Sequence, residues 1–207
     1  MNLRAVPMKV YGTLLVLSVV VTVVFFQSPQ SSSPIHHSPA AAIAGIDLEG
    51  NPVHPFASNP GGWVVLIFVR VDCPISNKYA PEIRRLHEEF TARGFRIWLV
   101  YPDTDTPVPE LRRHQTEFQL PKDVLRDPEQ TLVAFSQVTV TPEAAVFLPD
   151  GQRVYRGRID NRHVDFGSSR PEATEHNLRH VLEQLANGKN VTPSSTQAVG
   201  CYINRNK

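Results

Sequence analysis

The stretch Val64 to Glu82, VVLIFVRVDCPISNKYAPE, constrains the fold more than any other part of the chain. Its first six residues, Val64, Val65, Leu66, Ile67, Phe68 and Val69, are apolar without alternation. A strand covered on both faces reads this way, and such strands lie inside sheets flanked by helices. The run then delivers Cys73 to the start of an amphipathic segment. There Tyr79, Ile83, Leu86 and Phe90 recur at helical spacing, while Glu82, Arg84, Arg85, Glu88 and Glu89 face water. Ser76 is the expected N-cap and Gly94 the stop. Pro81 falls inside this helix, where it removes a hydrogen bond and is expected to kink the axis.

The rest of the pattern extends the same architecture. Gly50 and Asn51 mark a turn between two short extended pieces, and Phe95 to Tyr101 (FRIWLVY) is a second buried strand. Pro109, Leu111 and Phe118 outline a short helix, followed by a brief strand at Val124 and Leu125. Asp127, Pro128 and Gln130 signal a helix running to about Ser136. Ala144 to Leu148 and Arg153 to Arg158 form a β-hairpin around Pro149, Asp150 and Gly151. Residues Glu172 to Asn187, with Leu178, Val181, Leu182 and Leu185 on one face, make the last helix, and a polar tail follows. This order predicts an α/β fold with a mixed central β-sheet flanked by helices.

The N-terminus has a different character. Val10 to Phe26 carries no charge and follows Arg4 and Lys9, the pattern of a signal peptide or signal anchor. No small-residue cleavage site directly follows the run, which favours an uncleaved transmembrane anchor over residues 1–27. At about 1.5 Å per residue the run spans about 25 Å, so flanking residues must help it cross a bilayer. The basic residues keep the N-terminus inside, which places the domain outside the cytoplasm, on the periplasmic side, or free in the periplasm if the segment is cleaved. Residues 28–42, rich in Ser, Pro and Ala, read as a flexible linker, with His36 and His37 as solvated linker residues. A domain over 43–188 and a tail over 189–207 carrying Cys201 complete the chain.

With a formal charge of +1 and basic residues interleaved with acids, the chain shows no nucleic-acid footprint. No Gly-rich phosphate loop stands out, and neither a cofactor nor a metal is expected. His163, His176 and His180 read as surface or helix-face residues, and Arg156, Arg158, Asp160 and Arg162 as a solvated strand edge. Two cysteines, Cys73 and Cys201, permit either a stabilising staple or two thiols with chemistry to do. A strand-to-helix turn lowers a thiol pKa through the helix N-terminal amides and dipole, whereas the neighbouring Asp72 opposes the thiolate, and the sequence leaves open whether Arg70 offsets it.

Cys73 at a strand-to-helix turn, Pro81 eight residues later and Thr141-Pro142 before the hairpin strand together resemble the thioredoxin-like superfamily. Within it the chain is similar to the redoxin branch of alkyl hydroperoxide reductases and thiol-specific antioxidant proteins, over roughly Ile43 to Asn187. DCPISNKYAPEI, YRGRIDNR and the terminal GCYI look like an exported bacterial group of such proteins. The resemblance implies a thioredoxin-like fold, with Pro142 as a cis-proline facing the reactive cysteine. It also implies thiol oxidoreductase activity with Cys73 as nucleophile, acting on a peroxide or a protein disulfide and regenerated by an external thiol.

The departures from the family shape the expected chemistry. Ser76 stands where thioredoxins have their second cysteine, and Arg70 and Leu66 stand where peroxidatic enzymes have a threonine or serine and a proline. A complete cycle therefore depends on Cys201, which a tail can bring to Cys73 as a resolving thiol, or on an outside thiol, with Cys201 then a structural partner or an unpaired tail thiol. Pro74, Ser76, Thr141 and Pro142 are the expected substrate groove, with Thr141 offering backbone hydrogen bonds. The alternative is a non-enzymatic thioredoxin-like binding module or a copper chaperone of the Sco type, which would need a nearby cysteine pair and a histidine.

Overall fold

The computed structural model describes residues 39–57 and 62–204. The anchor at 1–27 and nearly all of the linker, His36 and His37 included, lie outside the described residues; among those described, no helix is long and apolar enough to cross a membrane. The elements run β1 (Gly45–Ile46), β2 (Pro52–Val53), β3 (Val64–Phe68), α1 (Pro74–Thr91), β4 (Arg96–Tyr101), α2 (Val108–Glu117), β5 (Val124–Arg126) and α3 (Thr131–Ser136). They continue with β6 (Val140–Thr141), β7 (Glu143–Phe147), β8 (Arg153–Gly157), β9 (His163–Asp165), β10 (Ser168–Ser169), α4 (Asn177–Ala186), β11 (Ser194–Ser195) and β12 (Cys201–Tyr202).

An eight-stranded sheet in the order β11-β8-β7-β3-β4-β5-β1-β2 forms the centre. Strands β3, β4 and β5 are parallel, while β7 returns antiparallel to β3 and pairs with β8. The apolar run of β3 divides by residue parity, as a pleated strand must. Val65, Ile67 and Val69 join a cluster with Tyr79, Ile83 and Leu86 of α1, Leu111 of α2 and Leu178 of α4. Val64, Leu66 and Phe68 join a second cluster with Leu132 and Val133 of α3 and Val138. Each such side chain, fully withdrawn from water, contributes about 1.5–3 kcal/mol, which fixes β3 at the sheet centre and Cys73 at its C-terminal end.

Several boundaries differ from the sequence reading for local reasons. α1 begins at Pro74 with Cys73 itself as N-cap, because proline suits the first helical position and the cysteine sulfur accepts from the Ser76 amide. Ser76 is therefore buried in the first turn and does not cap it. α3 starts at Thr131, after Gln130 takes a left-handed φ of 53°, yet Asp127 still serves the helix through a 2.8 Å bond from the Val133 amide to its carboxylate. α4 starts at Asn177, well after Glu172, because Asn161 holds residues 174 and 175 in a loop by accepting from their amides at 2.8 and 3.1 Å.

The supposed solvated edge at 156–162 is largely tied down. Asp160 is buried and accepts from Tyr79 Oη at 2.5 Å, and Arg158 pairs with Glu175 at 2.7 Å. His163 is buried as well, against the Tyr79 ring, and His176 is the N-cap of α4, one turn before His180.

The polar tail is also organised. β11 runs parallel to β8, and Thr196 clasps that strand: its hydroxyl lies 2.7 Å from Tyr155 Oη and 3.1 Å from the Arg158 amide, and its own amide donates to the Arg156 carbonyl. Gly157 makes this clasp possible, since its φ is +148° and a Cβ there would lie 2.2 Å from Thr196 Oγ1. Beyond the clasp, β12 pairs antiparallel with β6, setting Cys201 opposite Thr141 and Tyr202 opposite Val140.

Candidate functional site

The site forms where three backbone segments meet: the end of β3 running into α1, the Thr141–Pro142 peptide, which is cis, and the returning tail strand β12. Cys73 has no exposed surface, and its thiol donates to the Thr141 carbonyl oxygen at 3.0 Å. Cys201 is half-buried beside it, and both are free thiols. The structure thus brings together Cys73, Ser76, Thr141 and Cys201.

Electrostatics gives the two thiols different characters. Burial works against a Cys73 thiolate, but hydrogen bonds from the Cys201 thiol and from Ser76 outweigh it, leaving the Cys73 thiol below the ordinary cysteine range. Cys201 is pushed up to about 12 by its own burial, by the hydrogen bond it gives Cys73 and by repulsion from the Cys73 thiolate. The pair therefore deprotonates at Cys73 first, and Cys201 remains the donor. The hydroxyls of Ser76 and Thr141 are both buried without a hydrogen-bond partner.

Arg70 governs the rim. Its Nε lies 2.9 Å from Asp103 Oδ1 and 3.3 Å from Asp72 Oδ1, and its Nη1 donates to the Tyr202 carbonyl at 3.4 Å. The guanidinium thus offsets the carboxylate next to Cys73 while gripping the tail. On the opposite side, buried Glu143 accepts from the amides of Thr139 at 2.7 Å and Val140 at 3.3 Å, holding the approach to Pro142.

A buried polar chain supports the loop below Cys73. Tyr101 Oη lies 2.7 Å from His114 Nδ1, His114 Nε2 lies 2.8 Å from Asn77 Oδ1, and Asn77 Nδ2 donates to the Val71 carbonyl at 3.1 Å. Asn77 Oδ1 can only accept, so in the neutral ring Nε2–H donates to it and Nδ1 accepts from the Tyr101 phenol. Burial holds His114 below its ordinary pKa, with Glu117 opposing the shift, which suits that neutral role.

Sequence reasoning missed Gly200, Glu143 and the Tyr101–His114–Asn77 chain. The first had a visible signal: Val199, Cys201 and Ile203 alternate in the tail, the period of a strand. An open cavity of about 620 Å³ lined by Tyr155, His176, His180 and Thr196 lies between α4 and β8 and includes none of the expected site residues. Among the described residues, no group of three or more His, Cys, Asp and Glu side chains converges to hold a metal.

A mixed sheet with helices on both faces, a cysteine capping the helix after the central strand and a proline peptide across from it define a thioredoxin-like redoxin domain. The chain belongs to the AhpC/TSA family, whose model matches residues 37–155. No curated protein matches its sequence. Among solved structures it is similar to an uncharacterized conserved protein from Geobacillus kaustophilus, at 23% identity and a TM-score of 0.66 over 79% of this chain and 88% of that one. It is also similar to the thioredoxin domain of a thiol-disulfide oxidoreductase from Bacteroides vulgatus (19% identity, TM-score 0.51, 70% and 93% of the two chains). A third is a secreted Mycobacterium tuberculosis disulfide oxidoreductase homologous to E. coli DsbE (18%, 0.51, 72% and 97%). At these identities the likeness concerns the fold.

Proposed function

We propose that this protein is an extracytoplasmic thiol-disulfide oxidoreductase acting on protein disulfides. The observation that carries the reading is the pairing of β12 with β6, which sets Cys201 opposite Thr141, the residue whose carbonyl accepts from the Cys73 thiol at the N-terminus of α1. The Cys73 thiolate attacks one sulfur of a substrate disulfide, forming a mixed disulfide and expelling the other sulfur as thiolate, which takes up a proton. Cys201, deprotonated as it attacks, then displaces the first substrate sulfur from Cys73. The substrate gains two electrons and two protons and leaves reduced, and the protein is left with a Cys73–Cys201 disulfide. An external dithiol reopens it. Ser76 and Pro74 line the first turn beside Cys73, and Thr141 and Pro142 form the opposite wall of the groove.

Disulfides suit the site better than peroxides. Arg70 and Leu66 occupy the positions where peroxidatic relatives hold their threonine or serine and proline, and here Arg70 is engaged by Asp72 and Asp103 while Leu66 is sealed in the core. Placement outside the cytoplasm rests on the charge-free run Val10 to Phe26 and agrees with a secreted oxidoreductase among the similar structures. In an insulin-reduction assay with dithiothreitol the protein should accelerate turbidity. Cys73→Ser should abolish that acceleration, and Cys201→Ser should accumulate a mixed disulfide at Cys73 detectable by mass spectrometry. Undiminished activity in Cys73→Ser would overturn the reading.

A further inference from the structure

The tail around Cys201 is shaped like a bound peptide. After a bend at Gly200, residues 201–203 run antiparallel along the edge of β6. Val199 and Cys201 pack toward the cluster that contains Cys73, Tyr202 is 74% exposed, and Ile203 is buried in the second core cluster. Gly200 has no room for a side chain, since a Cβ there would lie 2.1 Å from the Thr141 carbonyl oxygen and 2.6 Å from its carbon, both backbone atoms. Besides its pairing with β6, the segment is held by Ile203 N to the Thr139 carbonyl at 3.0 Å, by Arg70 to the Tyr202 carbonyl and by Gln130 Nε2 to the Asn204 carbonyl at 2.6 Å. Beneath it Cys73 is fully covered, so no substrate disulfide reaches its sulfur while β12 is in place.

We infer that β12 is a displaceable strap filling the groove in which an extended partner strand docks, and that this groove takes partner segments with glycine directly before the reacting cysteine and an aliphatic residue two positions after it. That inference rests on the proposed nucleophilic role of Cys73. The strap and the partner occupy the same edge of β6 and alternate there. The partner enters with the strap released, and the returning strap carries Cys201 in to expel it. The pattern Gly200-Cys201-Tyr202-Ile203 is then the chain's own record of what fits: a backbone-only contact, a sulfur aimed at Cys73, a solvent-facing position and an apolar anchor.

The test is the rate at which iodoacetamide alkylates Cys73 in the Cys201→Ser chain, with and without Gly200→Ala, read by mass spectrometry. Forcing the strap off with Gly200→Ala should raise the rate about tenfold or more, since thiol reactivity follows access. A chain ending at Ala198 releases the strap by a different route, and circular dichroism confirms that both variants keep the fold. Adding the blocked peptide Val-Gly-Ser-Tyr-Ile-Asn should restore protection to the released chains, whereas its Val-Ala-Ser-Tyr-Ile-Asn counterpart should not. Equal alkylation rates in strapped and released chains would overturn the strap, and equal protection by the two peptides would overturn the glycine requirement. A released Cys73 that reacts no faster than free cysteine refutes the redox reading instead, because the ratio between chains still judges the strap.

Discussion

Replacing Asn77 with alanine cuts the polar chain beneath Cys73 at its middle link. The asparagine accepts from His114 Nε2 at 2.8 Å and donates to the Val71 carbonyl at 3.1 Å, and His114 is itself 4% exposed. Two lost hydrogen bonds cost about 1 kcal/mol each, and a donor stranded inside the protein costs about 1–3 kcal/mol more. Partial entry of water at the alanine void offsets some of this, which puts the loss at about 3 kcal/mol. For a domain of this size that lowers Tm by about 6–12 °C. Urea unfolding at pH 7.5 measures it directly, and the same substitution in a His114→Phe background should cost at least about 1 kcal/mol less, because no imidazole N–H remains to be stranded. If Asn77→Ala costs under about 0.5 kcal/mol, or costs the same in both backgrounds, the chain does not support the Val71–Cys73 loop.

Two further outcomes follow from other parts of the structure. His114 is held below its ordinary pKa by burial, so below about 6.5 the unfolded chain takes up a proton that the folded chain resists. Stability should be full above that pH and fall as pH drops toward the lower folded value, and in urea titrations His114→Phe should flatten the slope. Gly157→Ala drives a Cβ to 2.2 Å from Thr196 Oγ1 and 2.3 Å from its carbonyl oxygen at a φ of +148°. The loss should exceed about 2 kcal/mol in denaturant unfolding, with limited proteolysis cutting near Thr196.

The parts of the fold that sequence revealed are those with local causes. Val64 to Val69 announced a doubly covered strand because each parity of its side chains has its own apolar layer to enter. The face of α1 was equally plain, since Tyr79, Ile83, Leu86 and Phe90 repeat at the helical period and are all buried. The start of that helix was not, because a sulfur in place of a hydroxyl caps it. Arg158 and Asp160 misled for the opposite reason: charged residues ordinarily mark a wet edge, and only tertiary contacts with Glu175 and Tyr79 tie these two down. The sequence paired Cys201 with Cys73 only through a flexible tail, whereas their meeting depends on the pairing of β12 with β6, a long-range contact that only weak alternation in the tail foreshadowed. Glu143 left no local signal, since its partners are the backbone amides of Thr139 and Val140 and Arg156 on the neighbouring strand β8, which only the fold brings to it.

The Thr196 clasp decides how far a loosened Cys201 can stray. With Thr196 pinned to β8 by its hydroxyl and its amide, the leash is only the stretch from Thr196 to Cys201. A flexible chain of that length has a root-mean-square extension of about 12 Å and reaches about 17 Å when taut. The loose thiol is thereby confined to a small volume at an effective concentration in the millimolar range or above. Its recapture of Cys73 is a first-order event, timed by the leash and indifferent to protein concentration, and free thiols in the surroundings must be comparably abundant to intercept the mixed disulfide before the tail does.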